Sequence, residues 1–176
     1  MNNSPIGVYD SGFGGLSVWR EIHRRLPEES LLYLGDGKNC PYGGRSREEI
    51  TAFAREAVER LISEGVKMVV VGCNTATTAA VDALRAEWPD IPIVGLEPAV
   101  KPACLSSRTR RIAVLATAHS LQSDMFLNTA RRYAADVEVI KVEGRGFVEL
   151  VEASEEDSPK AERLVREVVE PLLDKG

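Results

Sequence analysis

Lys67-Met68-Val69-Val70-Val71-Gly72-Cys73-Asn74-Thr75-Ala76-Thr77-Thr78-Ala79-Ala80 is the stretch that decides the fold. A valine-rich run ends in a glycine and a thiol, and small residues suited to a helix follow. A buried strand handing over to a helix is the repeating unit of a parallel α/β sheet. The same change of period recurs on either side. Strand-like runs lie at Ile6–Tyr9, Leu31–Leu34, Ile91–Leu96, Arg111–Ala116 and Val137–Val142, with helical patterns between them. The clearest helix spans Ser46–Glu64, where Ile50, Phe53, Ala54, Ala57, Val58, Leu61 and Ile62 make one apolar stripe. Ser46 and Glu49 form a capping box at its start, and Gly65 follows its end. The expected class is α/β, a mainly parallel sheet flanked by helices on both faces.

Composition narrows the function classes. The chain has 176 residues, 44% hydrophobic and 28% charged. A chain of that length buries roughly 70% of its extended surface and needs no metal or disulfide to fold. The net charge of -5 argues against a general nucleic-acid binder. No apolar run reaches the roughly 20 residues of a membrane helix, and Met1-Asn2-Asn3-Ser4-Pro5 before the first strand contains no basic n-region or apolar h-region. Three cysteines and two histidines, at unrelated spacings, make neither a disulfide framework nor a zinc site. A cytoplasmic, reduced protein without a metal is the expectation.

Toward the end, Ser158–Leu173 reads as a helix with Ser158 as N-cap, Pro159 in its first turn and a stripe from Ala161 to Leu173. The chain stops where a β/α protein would launch its next strand, so it reads as a truncation of something longer. The expected division is a first α/β domain over residues 1–97, lacking its C-terminal elements, and a partial second α/β domain over 98–176.

Ligands of parallel sheets bind outside the carboxyl ends of the strands, so the strand exits carry the chemistry. They read Asp10-Ser11-Gly12, Gly35-Asp36, Gly72-Cys73-Asn74-Thr75, Glu97-Pro98 and Thr117. Cys73 stands before a helix N-terminus, where the dipole favours thiolate and lowers the thiol's pKa. The alternative is an inert buried cysteine, which holds for Cys40 and Cys104. Asn74 and Thr75 are N-cap types suited to a substrate carboxylate. Asp10, an acid at a buried strand end, either serves as acid/base or holds an ammonium. The glycines after it serve either an anion or a turn with φ > 0. Pro41-Tyr42-Gly43-Gly44 reads on its own as a surface turn, and His119 as a surface residue. Lys38, Lys101 and Lys141 lie in no pyridoxal-phosphate context.

Taken together, Asp10-Ser11-Gly12 with Gly14-Gly15-Leu16, Pro41-Tyr42-Gly43, Cys73-Asn74-Thr75-Ala76, Glu97-Pro98-Ala99-Val100-Lys101-Pro102-Ala103 and Leu115-Ala116-Thr117 resemble glutamate racemase. The resemblance runs from Ile6 to the last residue. It implies a two-domain protein that interconverts L- and D-glutamate for peptidoglycan synthesis, without a cofactor, by proton transfer between two cysteines on opposite faces of the substrate. It further implies that Cys73 is the first cysteine and that Asp10 assists its proton traffic. Asp10, Ser11, Tyr42, Gly43, Asn74 and Thr75 would hold glutamate's carboxylates and ammonium, with Thr117, Ser120 and Glu152 in the second half of the cleft. His119 departs from the family's usual glycine. The second cysteine, in a Cys-Thr-His motif, would fall beyond Gly176, so the 176-residue chain alone is expected to be inactive. Glutamate is the expected partner, with no membrane or nucleic acid, and a homodimer is compatible with the reading. Two alternatives stand beside this reading: a one-cysteine decarboxylase or isomerase of the same fold group, and a non-catalytic module binding dicarboxylates or a protein.

Overall fold

The computed structural model describes residues 3–174. The chain divides into two compact units, Met1–Glu97 and Pro98–Gly176.

The first unit is a four-stranded parallel sheet in the order β2-β1-β3-β4. Its strands are β1 (Ile6–Asp10), β2 (Leu31–Gly35), β3 (Met68–Val71) and β4 (Ile93–Gly95), all paired in parallel. Three helices connect them: α1 (Leu16–Arg25), α2 (Arg47–Ser63) and α3 (Asn74–Glu87). Side chains alternate across a strand, and β1 is buried throughout. Ile6 and Val8, with Val70, pack against Val18, Trp19 and Ile22 of α1. On the other face a Cβ at Gly7 would stand 3.1 Å from Leu61 of α2, so Tyr9 is directed to the side that α2 covers. Helices thus cover both faces, as the apolar strands require.

Local chemistry sets the element ends. Ser46 and Glu49 complete the expected capping box on α2, and Gly65 stops the chain beyond it at φ 78°. Arg55 of α2 is held in a fork by both carboxylate oxygens of Glu87 of α3, at 2.6 Å each. The fourth strand is shorter than the run Ile91–Leu96 suggests. Pro92 has no N–H to give, and Ile91 closes a turn onto Trp88, so the ladder begins at Ile93.

The second unit pairs β5 (Arg111–Ala116) with β6 (Glu138–Glu143) in parallel. Around them lie α4 (Val100–Ser106), α5 (Ala118–Gln122), α6 (Asp124–Tyr133), α7 (Phe147–Glu152) and α8 (Pro159–Leu173). Ile112, Val114 and Ala116 of β5 pack on a core of Val100, Cys104, Leu121, Phe126 and Val137. Their neighbours Ala113 and Leu115 are exposed, so here one face of the strand is covered and the expectation of two covered faces does not extend to β5. Ser158 caps α8 and Pro159 opens it, as read from sequence. Of its apolar stripe only Ala161 is buried, while Val165, Val169 and Leu173 are exposed. Among the described residues, no helix is long and apolar enough to cross a membrane.

Candidate active site

The polar residues of the first unit collect where three strands of its sheet end. Asp36 donates its N–H to the carbonyl of Asp10 at 2.9 Å, and Gly72 to the carbonyl of Tyr9 at 2.7 Å. Main-chain bonds therefore tie the turns after β2 and β3 to the end of β1. The backbones also close up, since a Cβ on Gly72 would lie 3.4 Å from the Cα of Gly15. A Cβ on Gly15 itself would lie 2.6 Å from that of Asp10. Gly15 sits at φ -65°, an ordinary value. Of the two explanations for this glycine, a left-handed turn is therefore wrong. Close approach is the physical requirement.

Asp10 is buried and finds its partners in that turn. Its Oδ2 accepts the N–H of Gly12 at 3.1 Å and that of Gly15 at 3.0 Å. This answers the sequence question of what a buried acid at a strand end pairs with.

Cys73 is buried and is itself the N-cap of α3, with its Sγ accepting the N–H of Ala76 at 3.4 Å. The cap role expected of Asn74 and Thr75 thus belongs to the thiol. Asn74 is the first helical residue and exposed, and Thr75 is buried behind it. Ser11 Oγ lies 3.3 Å from Cys73 Sγ. Burial pushes the Cys73 thiol up, and the charge of Asp10 pushes it further, to about 11, against the hydrogen bonds from Ser11 and Ala76. The lowered pKa expected from the helix dipole is corrected here. Loss of water around the sulfur outweighs the dipole and the two donors.

The surface turn expected at Tyr42 is also overturned. Tyr42 is only 2% exposed, and its ring packs on Phe53 of α2 at 5.6 Å between centroids. Its hydroxyl donates to Asp36 Oδ2 at 2.6 Å and lies 2.8 Å from the hydroxyl of Tyr9. Gly43 and Gly44 occupy the turn that follows, closed by Arg45 N–H to the Tyr42 carbonyl at 3.0 Å. Sequence reading named Asp36 as a strand exit without its phenol partner, and missed Tyr9 as part of this arrangement. The available signal was a phenol in a strand otherwise apolar on that face, which must find a partner when buried.

In the second unit Thr117 is the N-cap of α5, and its Oγ1 lies 3.0 Å from Ser120 Oγ. Glu152 ends α7, and His119 is half-buried within α5. Cys104 is buried in that unit's apolar core, while Cys40 is half-buried in the loop before Pro41. Neither stands at a strand-to-helix turn.

Comparison with known proteins adds a second line of findings. The Asp/Glu/Hydantoin racemase family model matches residues 6–176. A glutamate racemase of Ectopseudomonas mendocina is 47% identical over 100% of this chain and 68% of its own length. One from Roseiflexus is 47% identical over 98% of this chain and 63% of its own. The Escherichia coli glutamate racemase, solved in complex with L-glutamate and the activator UDP-MurNAc-Ala, superposes with a TM-score of 0.87 at 30% identity. That match covers 97% of this chain and 64% of the solved one. The chain therefore spans about two thirds of the length of the proteins it matches.

Proposed function

This chain belongs to the Asp/Glu/Hydantoin racemase family, and on that premise we propose that it is the Cys73-bearing portion of an enzyme interconverting L- and D-glutamate. The single observation that carries the reading is the setting of Cys73. It is a buried thiol capping α3, 3.3 Å from Ser11 and within the field of Asp10.

The α-proton of an amino acid is very weakly acidic, so its removal favours a strong base in a dry site. With its pKa near 11, Cys73 rests as the thiol at neutral pH and is a strong base once ionised. As thiol it delivers a proton to the α-carbon, and as thiolate it takes one away. The hydroxyl of Ser11 and the N–H of Ala76 stabilise the sulfur's negative charge as it forms. Asp10 assists from behind by raising the basicity of the thiol. Asp10, Ser11, Tyr42, Gly43, Asn74 and Thr75 are assigned to glutamate's carboxylates and ammonium, with Thr117, Ser120 and Glu152 as further contacts.

Inversion requires a second acid/base on the opposite face of the α-carbon. Neither Cys40 nor Cys104 has the setting for it, so in this two-cysteine mechanism the second thiol is not supplied by residues 1–176. The reaction is assigned no cofactor. Its product is assigned to peptidoglycan synthesis in the cytoplasm. The test is circular dichroism of L-glutamate incubated with a protein that carries these residues and has the full length of the relatives. Decay of the signal to a racemic mixture supports the reading. Saturable binding of glutamate with no decay overturns it in favour of a binding module.

A further inference from the structure

The loop after β2 is held from beneath by a chain of hydrogen bonds whose direction is fixed. Asp36 accepts from the Tyr42 hydroxyl at 2.6 Å and from Asn39 Nδ2 at 2.9 and 3.0 Å. Tyr42 has a single hydroxyl proton, and it is committed to Asp36. In the 2.8 Å contact between the two phenols, Tyr9 is therefore the donor and Tyr42 the acceptor. The polarity runs from Tyr9 through Tyr42 to Asp36 without a break. Both phenols are buried, and Asp36 is also bonded through its own N–H to the carbonyl of Asp10.

The chain ties two segments that carry proposed substrate contacts. Tyr9 directly precedes Asp10 and Ser11. Tyr42 directly precedes Gly43 and Gly44, whose N–H groups donate to nothing among the described residues and are available to an anion. A glycine pair holds a shape poorly by itself, because glycine loses more conformational freedom on ordering than any other residue. A Cβ at Gly44 would meet nothing within 4 Å, so space is open there, and the turn is closed on itself by the Arg45 N–H bond to the Tyr42 carbonyl. The phenol pair ties that closed turn to the end of β1.

We propose that Tyr9 and Asp36 are positioning residues: through Tyr42 they fix the Gly43–Gly44 turn relative to Asp10 and Ser11, so that its N–H groups receive a carboxylate of the substrate. This rests on the assignment of glutamate as substrate. Neither residue touches the reacting atoms. Removing a link loosens the turn, so the effect falls on substrate affinity and leaves Cys73 in place.

The experiment is alkylation of Cys73 by iodoacetamide, followed by peptide mass mapping, with increasing D-glutamate as protectant. It is run on the same polypeptide for the wild type, Tyr9→Phe, Tyr42→Phe, Asp36→Asn and the double Tyr9→Phe/Tyr42→Phe. In Tyr42→Phe the half-protecting concentration of D-glutamate should rise about tenfold, for the loss of one charge-assisted and one neutral hydrogen bond. Tyr9→Phe should raise it less, and the double variant no further than Tyr42→Phe alone, because the phenols act as one unit. The plateau of protection at saturating D-glutamate should stay the same, which a general loosening of the fold would not allow. If Tyr42→Phe is insoluble, Tyr9→Phe carries the test, since it leaves the Tyr42–Asp36 bond intact. Half-protection unchanged in both Tyr9→Phe and Asp36→Asn overturns the positioning role alone. Failure of D-glutamate to protect the wild type overturns the substrate assignment and this inference with it.

Discussion

Ser11 Oγ and Cys73 Sγ, 62 residues apart in the chain, stand 3.3 Å from each other across the ends of β1 and β3. The hydroxyl stabilises a thiolate that burial and Asp10 both oppose. Ser11→Ala removes that donor, and the Cys73 pKa should move above its present value near 11. At pH 8 to 9 the alkylation rate of Cys73 should fall roughly three- to tenfold, for about 1 kcal/mol of lost hydrogen bonding. An unchanged rate would mean that the contact does not act on the sulfur's charge.

Asp10→Asn should act in the opposite direction. The amide oxygen still accepts from Gly12 and Gly15, but the negative charge beside the sulfur is gone. The thiol pKa should drop and alkylation at a fixed pH should quicken, while exchange of glutamate's α-proton slows because Asp10 is also assigned to hold the substrate. Slower alkylation in this variant would show that Asp10 does not raise the thiol.

Stability should fall on the alkaline side. The folded thiol titrates near 11 against an ordinary value of 9.0. Between those values the unfolded chain has released its proton and the folded one retains it. The contribution is thus fully present below about pH 9 and is lost as pH rises to about 11, by roughly 2–3 kcal/mol. Burial also pushes Tyr9 and Tyr42 up, and both extend the decline to still higher pH. Urea unfolding at stepped pH should show a shallower loss from pH 9 to 11 in Cys73→Ala. An identical slope would remove the thiol from the alkaline limb.

How much of this was legible in the sequence depended on whether the cause was local. Strand exits, the capping box at Ser46 and Glu49, and the cap at Ser158 depend on residues within one turn of each other, and all are visible in the chain. The environment of Cys73 was not. Its position before a helix is a local feature that lowers its pKa, but the desolvation that raises it comes from the whole of the first unit. Tyr42 failed for a related reason. Pro41, Gly43 and Gly44 carry the local signal of a turn, while the partners that bury the phenol, Tyr9 and Phe53, lie 33 residues before it and 11 after it.

Glycine substitutions separate close approach from open space. Gly15→Ala forces a Cβ to 2.6 Å from that of Asp10 and should destabilise the fold by roughly 1–3 kcal/mol. It should also slow proton exchange, because Asp10 must shift. Gly44→Ala meets nothing within 4 Å and should change stability by less than about 0.5 kcal/mol. Equal costs in urea titrations would contradict the packing described at Asp10.

Residues 1–176 expressed alone should not racemise glutamate and should self-associate. Val165, Val169 and Leu173 stand exposed along α8, and each leaves part of the roughly 1.5–3 kcal/mol of full burial unrealised. Light scattering and optical rotation test both halves. A monodisperse monomer that converts L- to D-glutamate in proportion to its concentration would contradict them.

The most direct measurement is deuterium incorporation at the α-carbon of D-glutamate in D₂O, by a protein of the relatives' length carrying these residues. Wild type, Cys73→Ala and Cys104→Ala are compared. Cys73→Ala should lose exchange by a factor of about 10³ or more, as expected when the group that moves the proton is removed. Cys104→Ala, altered in the core of the second unit, should keep it within about twofold while folded. Exchange that survives Cys73→Ala, or falls equally in both variants, would contradict the assignment of Cys73 as the residue that moves the α-proton.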